Sequence, residues 1–233
     1  MRIIANREFI ARREQVGQWV PLVALVLLFG GLALSWIHPQ EYLLSTGIIL
    51  LGFILSILAS YLTEHYSGDI VPHKRLPAAL KGMTNDYVLL MHHKPVPFLL
   101  IEPGGITVIH TKGQANLVLY DGKRWHHVEK WHFFKQLGGQ EPLGDPIRQA
   151  NDLIKQVRKH LAKTMPDAEI PVRTVIVFIN PEVRLEMAEE PPLPTLPLPK
   201  LKRWLRNNPL HPTLPAEQRQ ALAQALGIET EGN

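Results

Sequence analysis

The run PFLLIEPGGITVIHTKG, residues 97–113, sets the reading of the whole chain. It holds two apolar strands joined by a tight Pro103-Gly104-Gly105 turn, and it ends in His110-Thr111-Lys112. Pro103 presets φ for the turn, and the two glycines supply positive-φ options that other residues resist. With Pro103 and Gly104 at its centre, the register sets Pro97 opposite His110. The two-residue period of a strand then puts Lys112 on the same face as His110. Three positions therefore converge at the open end of one hairpin. That geometry can hold a divalent metal when its occupants are acidic; here they are Pro97, His110 and Lys112.

Working outward, residues 19–37 and 42–62 are apolar runs without Lys, Arg, Asp or Glu. As helices each spans about 30 Å, the thickness of a bilayer's hydrocarbon core. Only His38-Pro39-Gln40-Glu41 separates them, so they read as a transmembrane helical hairpin, with Pro21 in the first turn of the first helix. Arg2, Arg7, Arg12 and Arg13 precede the hairpin, and Lys74 and Arg75 follow it. The connecting loop has no Lys or Arg, so the positive-inside bias places both termini in the cytoplasm of an inner-membrane, multi-pass protein. A cleaved signal peptide and a pair of buried core helices are the alternatives, and a second span so close behind the first disfavours both. The chain has no cysteine, which excludes disulfides and Cys-ligated zinc. Its net charge of +4 is modest. Basic residues of the remainder, among them Lys123, Lys130, Lys135, Lys155 and Lys163, alternate with acids as on a solvated face, which permits but does not demand a nucleic-acid or lipid contact.

The chain divides into a basic cytoplasmic N-terminus (1–18), the membrane hairpin (19–62), a juxtamembrane linker (63–77), an α/β domain (78–190), and a Pro-rich segment with terminal helices (191–233). Residues 78–92 suit a helix leading into the hairpin, although Gly82 and Asn85 weaken it. Residues 115–120 supply a third strand that turns at Asp121-Gly122. Residues 125–137 carry clustered aromatics and histidines before Gly138-Gly139 and stay ambiguous. Asp145 caps a helix whose first residue is Pro146 and whose stripe is Ile147, Ala150, Ile154, Val157 and Leu161. The β-branched run 172–179 reads as a strand buried on both faces. PPLPTLPLP, 191–199, reads as an edge strand, a polyproline spacer or a ligand for an SH3-type partner. Short helices over 200–207 and 215–226 close the chain. This order implies an α/β layer domain with a mixed sheet.

Several tempting residues have plainer readings. His92, His93, His126, His127 and His132 match no zinc-ligand spacing and read as solvated or capping groups. Trp125 and Trp131 could stack on bases but read as core aromatics. Lys112 could meet a phosphate as a point charge or guard a sheet edge against aggregation. Gln149 sits off the centre of its helix's apolar stripe.

Residues 82–88, 97–112, Trp125, Asp145-Pro146-Ile147-Arg148-Gln149 and 175–178 together resemble the nuclease-related domain (NERD), a family of the PD-(D/E)xK restriction-endonuclease-like superfamily. The resemblance covers roughly residues 81–181 and implies a restriction-endonuclease-like mixed-sheet fold behind the membrane hairpin. Active members of the superfamily carry an Asp on the first hairpin strand, a Glu-x-Lys on the second and a Glu on the leading helix. Those carboxylates hold Mg²⁺, which polarises a phosphate and acidifies a water. Carried onto this chain, the Asp position is Pro97, the Glu position is His110 and the helical Glu position is Asn85, while Lys112 and Gln149 match the family's Lys and helical Gln. Three acids are thus replaced. Glu102 lies at the other end of the hairpin, and Asp86 is turned about 100° from Asn85 on a helix. The resemblance therefore implies a catalytically degenerate module without a cofactor, which binds nucleic acid or another protein at the membrane through Lys112 and Gln149. The alternatives are an active Mg²⁺-dependent nuclease with an unorthodox acid set, and a protein-interaction scaffold.

Overall fold

A computed structural model of the chain describes residues 1–63, 66, 68–128 and 142–228. They fall into two compact units, one built from residues 1–6, 72–128 and 143–228, the other chiefly from 7–71.

The larger unit is organised by the hairpin. Strands β3 (Phe98–Glu102) and β4 (Gly105–Lys112) pair antiparallel, with Leu99 opposite Val108 and Glu102 opposite Gly105. Extending that register by two residues sets Pro97 against His110, as the turn chemistry requires. The glycines have steric reasons to be there. A Cβ on Gly104 would lie 2.0 Å from the Leu210 carbonyl oxygen, and Gly105 has φ +150. Around the hairpin, β1 (Arg2–Ala5), β2 (Val88–Met91), β7 (Val172–Phe178) and β9 (Thr195–Pro197) complete a six-stranded sheet in the order β1-β2-β3-β4-β7-β9. The β1–β2, β4–β7 and β7–β9 pairs are parallel, so the sheet is mixed. A second sheet, β6-β5-β8, joins β5 (Leu117–Tyr120), β6 (Trp125–Val128) and β8 (Arg184–Met187).

Helices cover both faces of the large sheet. On one face α3 (Pro72–Ala79) and α5 (Leu198–Asn207) set Leu76, Leu201 and Leu205 against Leu89, Leu100, Val175 and Val177. On the other, α4 (Pro146–Thr164) and α6 (Ala216–Ala225) set Val157, Leu161 and Leu222 against Leu90, Leu99, Ile106 and Val108. The start of α4 packs Ala150 with Ile176, Phe178, Tyr120 and Trp125, which joins the second sheet to the first. Asp145 caps α4 as its sequence demands, its carboxylate accepting from the Arg148 N–H at 3.0 Å.

Several expectations need correction. Residues 78–92 are not one helix: α3 ends at Ala79, Gly82 turns the chain at φ +80, and Val88–Met91 is a strand held by β3. Helix α3 also takes in residues 72–77 of the stretch read as a linker over 63–77. Residues 2–5, read as part of a basic tail, form an edge strand beside β2. The strand read at 115–120 does form, but in the second sheet. Of the Pro-rich segment, Thr195–Pro197 takes the edge-strand alternative, while Leu198 and Pro199 begin α5. Within 125–137, only β6 lies among the described residues; Lys130, Trp131, His132 and Lys135 lie outside them.

The smaller unit is a pair of antiparallel helices, α1 (Arg7–Ile37) and α2 (Tyr42–Leu62), joined through a short 3₁₀ turn, Pro39–Glu41. Pro21 lies well inside α1, not in its first turn, because the helix begins at Arg7. The buried positions of α1 are Gly17, Ala24 and Gly31, and those of α2 are Ser45, Gly52 and Ala59. Both sets repeat every seven residues, so a seam of small side chains lets the backbones approach closely. A Cβ on Gly31 would lie 2.7 Å from Ile49 Cγ1, and one on Gly52 3.0 Å from the Leu28 nitrogen. The outward positions are large and apolar, Trp36 being 92% exposed. Both helices are long and apolar enough to cross a membrane.

Candidate functional site

Strand β4 carries His110 and Lys112 on the face that packs against α4, since their register partners on β7 are Ile176 and Phe178. The two side chains meet different fates. Lys112 is 1% exposed and ranks with Phe178 among the largest fully buried side chains. It is not an edge-strand lysine, because β4 lies between β3 and β7. His110 is half-buried, and its Nε2 lies 3.1 Å from Gln149 Oε1. With Nε2 protonated, the ring donates to the amide oxygen. The cap that starts α4 at Asp145 is what brings Gln149 over the strand.

Pro97 is exposed at the mouth of the hairpin, where its carbonyl accepts from the His92 N–H at 2.6 Å. Asn85 stands apart from these residues. It sits on an exposed turn rather than a helix, and its Oδ1 accepts from the N-terminal ammonium at 3.0 Å. The ladder sets Val88 against Ile101 and Ile101 against Ile106, so this end of β2 lies at the closed end of the hairpin. Lys112 is six residues further along β4, roughly 20 Å at 3.3 Å per residue. The fold thus brings His110 and Gln149 together with Lys112 beneath the same helix, and leaves Asn85 at the far end.

Among the described residues, the donor set at this end of the hairpin does not fit Mg²⁺. A hard cation asks for six or so oxygen ligands, most often carboxylates. At this end of the hairpin stand a proline, an imidazole already engaged with an amide, and a buried ammonium. No group of three or more His, Cys, Asp or Glu that could hold a metal occurs among the described residues.

The histidines do local work. His126 Nε2 lies 2.8 Å from Asp121 Oδ2, and His127 Nε2 lies 2.7 Å from the Ala115 carbonyl. His92 packs edge-on against Phe98 and His73, at 5.0 and 5.9 Å between ring centroids. Trp125 is a core residue, stacked between Tyr120 and Phe178 at 4.8 and 6.1 Å. Asp121 also accepts from the Arg124 and Lys123 amides at 2.7 and 2.8 Å. Those bonds, the Arg124 amide first and then His126 and Lys123, hold its carboxyl far below the usual range.

A second polar cluster occupies the opposite face and the opposite end of the sheet. Glu102, 1% exposed, receives Arg173 Nη2 on both oxygens at 2.8 and 2.9 Å. Arg173 Nε donates to Thr107 Oγ1 at 2.7 Å, and the Thr107 hydroxyl donates to Glu102. The guanidinium lies over the Trp204 ring, 4.6 Å from its centroid. Tyr87 titrates above its usual range, from burial first and then from the Glu102 charge. The signal that could have found its Trp204 side is LPKLKRWLRN, residues 198–207: four cations and one tryptophan without an acid.

A mixed sheet with an apolar hairpin at its centre and a capped helix crossing over the second hairpin strand defines a nuclease-like α/β domain. Residues 83–179 match the family model of NERD, the nuclease-related domain. Neither a curated protein nor a solved structure matches the chain.

Proposed function

We propose that this protein is a membrane-anchored nuclease-fold module that binds nucleic acid without cutting it. One observation carries the reading: the hairpin end where the superfamily keeps its metal-holding carboxylates has Pro97, a Gln149-bound His110 and a buried Lys112. A phosphodiester needs a divalent ion or equivalent charge to stabilise the attacked phosphate. With no oxygen cage among the described residues to hold one, binding is the property such a fold can keep, since fold alone does not carry chemistry.

The anchor has its own support. The large sheet includes β1 at one end of the chain and strands from residue 88 onward. The chain leaves this unit after Asn6 and re-enters it at Pro72. Any membrane crossing in between must therefore occur an even number of times, which two apolar helices satisfy.

The test uses the full chain in mild detergent with labelled single- and double-stranded DNA and RNA. Salt-sensitive binding with no cleavage in Mg²⁺ or Mn²⁺ is the expected result. Divalent-dependent cleavage that disappears in Lys112→Ala and Lys112→Met, with folding intact by circular dichroism, would overturn it.

A further inference from the structure

Burial removes Lys112 as a contact for a polyanion, so the binding proposed above needs another surface. A cleft of about 890 Å³ runs along α5, on the face of the sheet away from His110 and Gln149, with Lys200, Arg203, Trp204 and Asn207 along one wall. Its volume falls within the range of built ligand sites, about 300–1,000 Å³. Pro191 to Pro194 also line the cleft, and Glu190 is the one carboxylate in the lining.

Helix α5 divides its residues by spacing. Leu198, Leu201 and Leu205 are buried against the sheet. Lys200, Arg203, Trp204 and Asn207 recur three and four apart and share another face. The four cations of α5 are also unlike one another. Lys202 donates to the Lys81 carbonyl and Arg206 to the Gly82 carbonyl, so both pin the turn that follows α3. Lys200 and Arg203 are exposed and make no ion pair or hydrogen bond among the described residues. Trp204 is half-buried and held from one side by Arg173, whose own charge is taken up by Glu102. The cleft therefore offers two uncommitted cations beside a fixed aromatic ring.

Resting on the nucleic-acid reading, we infer that this cleft binds a short single-stranded stretch, with Trp204 stacking a base and Lys200 and Arg203 contacting flanking phosphates. Stacking on a fixed ring with cations at either side tolerates any base and follows the backbone. A planar lipid surface would be met by a projecting basic face; here the cations border a concavity. The Asn207 amide adds a donor and an acceptor for a base edge.

The experiment places the full chain in phosphatidylcholine nanodiscs and titrates fluorescein-labelled dT12 by anisotropy at several salt concentrations. Lys200→Gln/Arg203→Gln is expected to lower the slope of log K against log salt by about 1.4, roughly 0.7 for each lost phosphate contact. Trp204→Ala is expected to weaken binding about tenfold with little change in that slope. Lys155→Gln/Lys159→Gln, on exposed positions of α4, removes the same charge elsewhere and is expected to alter neither reading. Wild-type binding that survives Lys200→Gln/Arg203→Gln with an unchanged slope would overturn the cleft while leaving the nucleic-acid reading. An equal loss in the α4 pair would overturn it too, as an effect of net charge. Stronger displacement of dT12 by phosphatidylglycerol vesicles than by unlabelled dT12, per phosphate, would assign the cleft to lipid instead. No binding to any oligonucleotide by the wild type would overturn both readings.

Discussion

Arg173 shows how one residue can hold several elements at once. It reaches Glu102 and Thr107 across the hairpin, the Asn208 carbonyl beyond α5, and the Trp204 ring. Removing it would leave the Glu102 carboxylate buried without its counter-charge, a loss worth about 3–5 kcal/mol for a buried pair. Arg173 is itself 20% exposed, so Arg173→Ala is expected near the lower end, about 3 kcal/mol, by urea denaturation in mild detergent. Glu102→Leu/Arg173→Met should recover part of that loss, because no charge is then stranded. Asp121 gives the pH-dependent case. Its carboxyl titrates below its ordinary value of 3.8, so the stability it contributes is present above that value. As pH falls through 3.8 towards the folded-state value, that contribution is lost. Asp121→Ala should lower the melting temperature at pH 7, and the difference from wild type should shrink on acidification below about pH 4.

Elements whose signals are local were legible, and those decided by distant pairing were not. The Pro103-Gly104-Gly105 turn fixed its own register, and Asp145-Pro146 fixed the start of α4. By contrast, Val88–Met91 is a four-residue apolar run that periodicity cannot tell from helix. Its pairing with β3 decides it. Strand β1 is shorter still in signal: its partner lies more than 80 residues away, and nothing in RIIA announces it. The groove on α5 escaped because it is assembled from strand, loop and helix. Two expectations belong at this scale. Gly104→Ala would force a methyl group into the Leu210 carbonyl, and about 1–3 kcal/mol of destabilisation is expected by chemical denaturation. Deleting residues 1–6 would uncover β2, and faster hydrogen exchange should appear at the Val88–Met91 amides that face β1, with the β4–β7 ladder still protected.

At the scale of the whole molecule, orientation across the membrane is the property that the other readings share. Arg2, Arg7, Arg12, Arg13, Lys74 and Arg75 flank the two apolar helices, and His38 to Glu41 between them carry no Lys or Arg. If the two helices span a bilayer, the charge bias and the sheet's connectivity both keep residues 2–5 and β2 onward on one side, although they rest on different physics. One is the cost of carrying Lys and Arg across the bilayer. The other is the connectivity of a sheet that contains residues 2–5 as well as everything from β2 onward. The chain lacks cysteine, so single cysteines report without background. Cysteines placed at Gln40 and at Lys123 should label oppositely with a membrane-impermeant maleimide on intact cells. Gln40→Cys is expected to react at once, and Lys123→Cys only after the membrane is permeabilised. Labelling of Lys123→Cys on intact cells would place the α/β domain outside, away from any cytoplasmic nucleic acid. Equal labelling of both, together with release of the protein by alkaline carbonate, would mean that α1 and α2 do not span a bilayer at all.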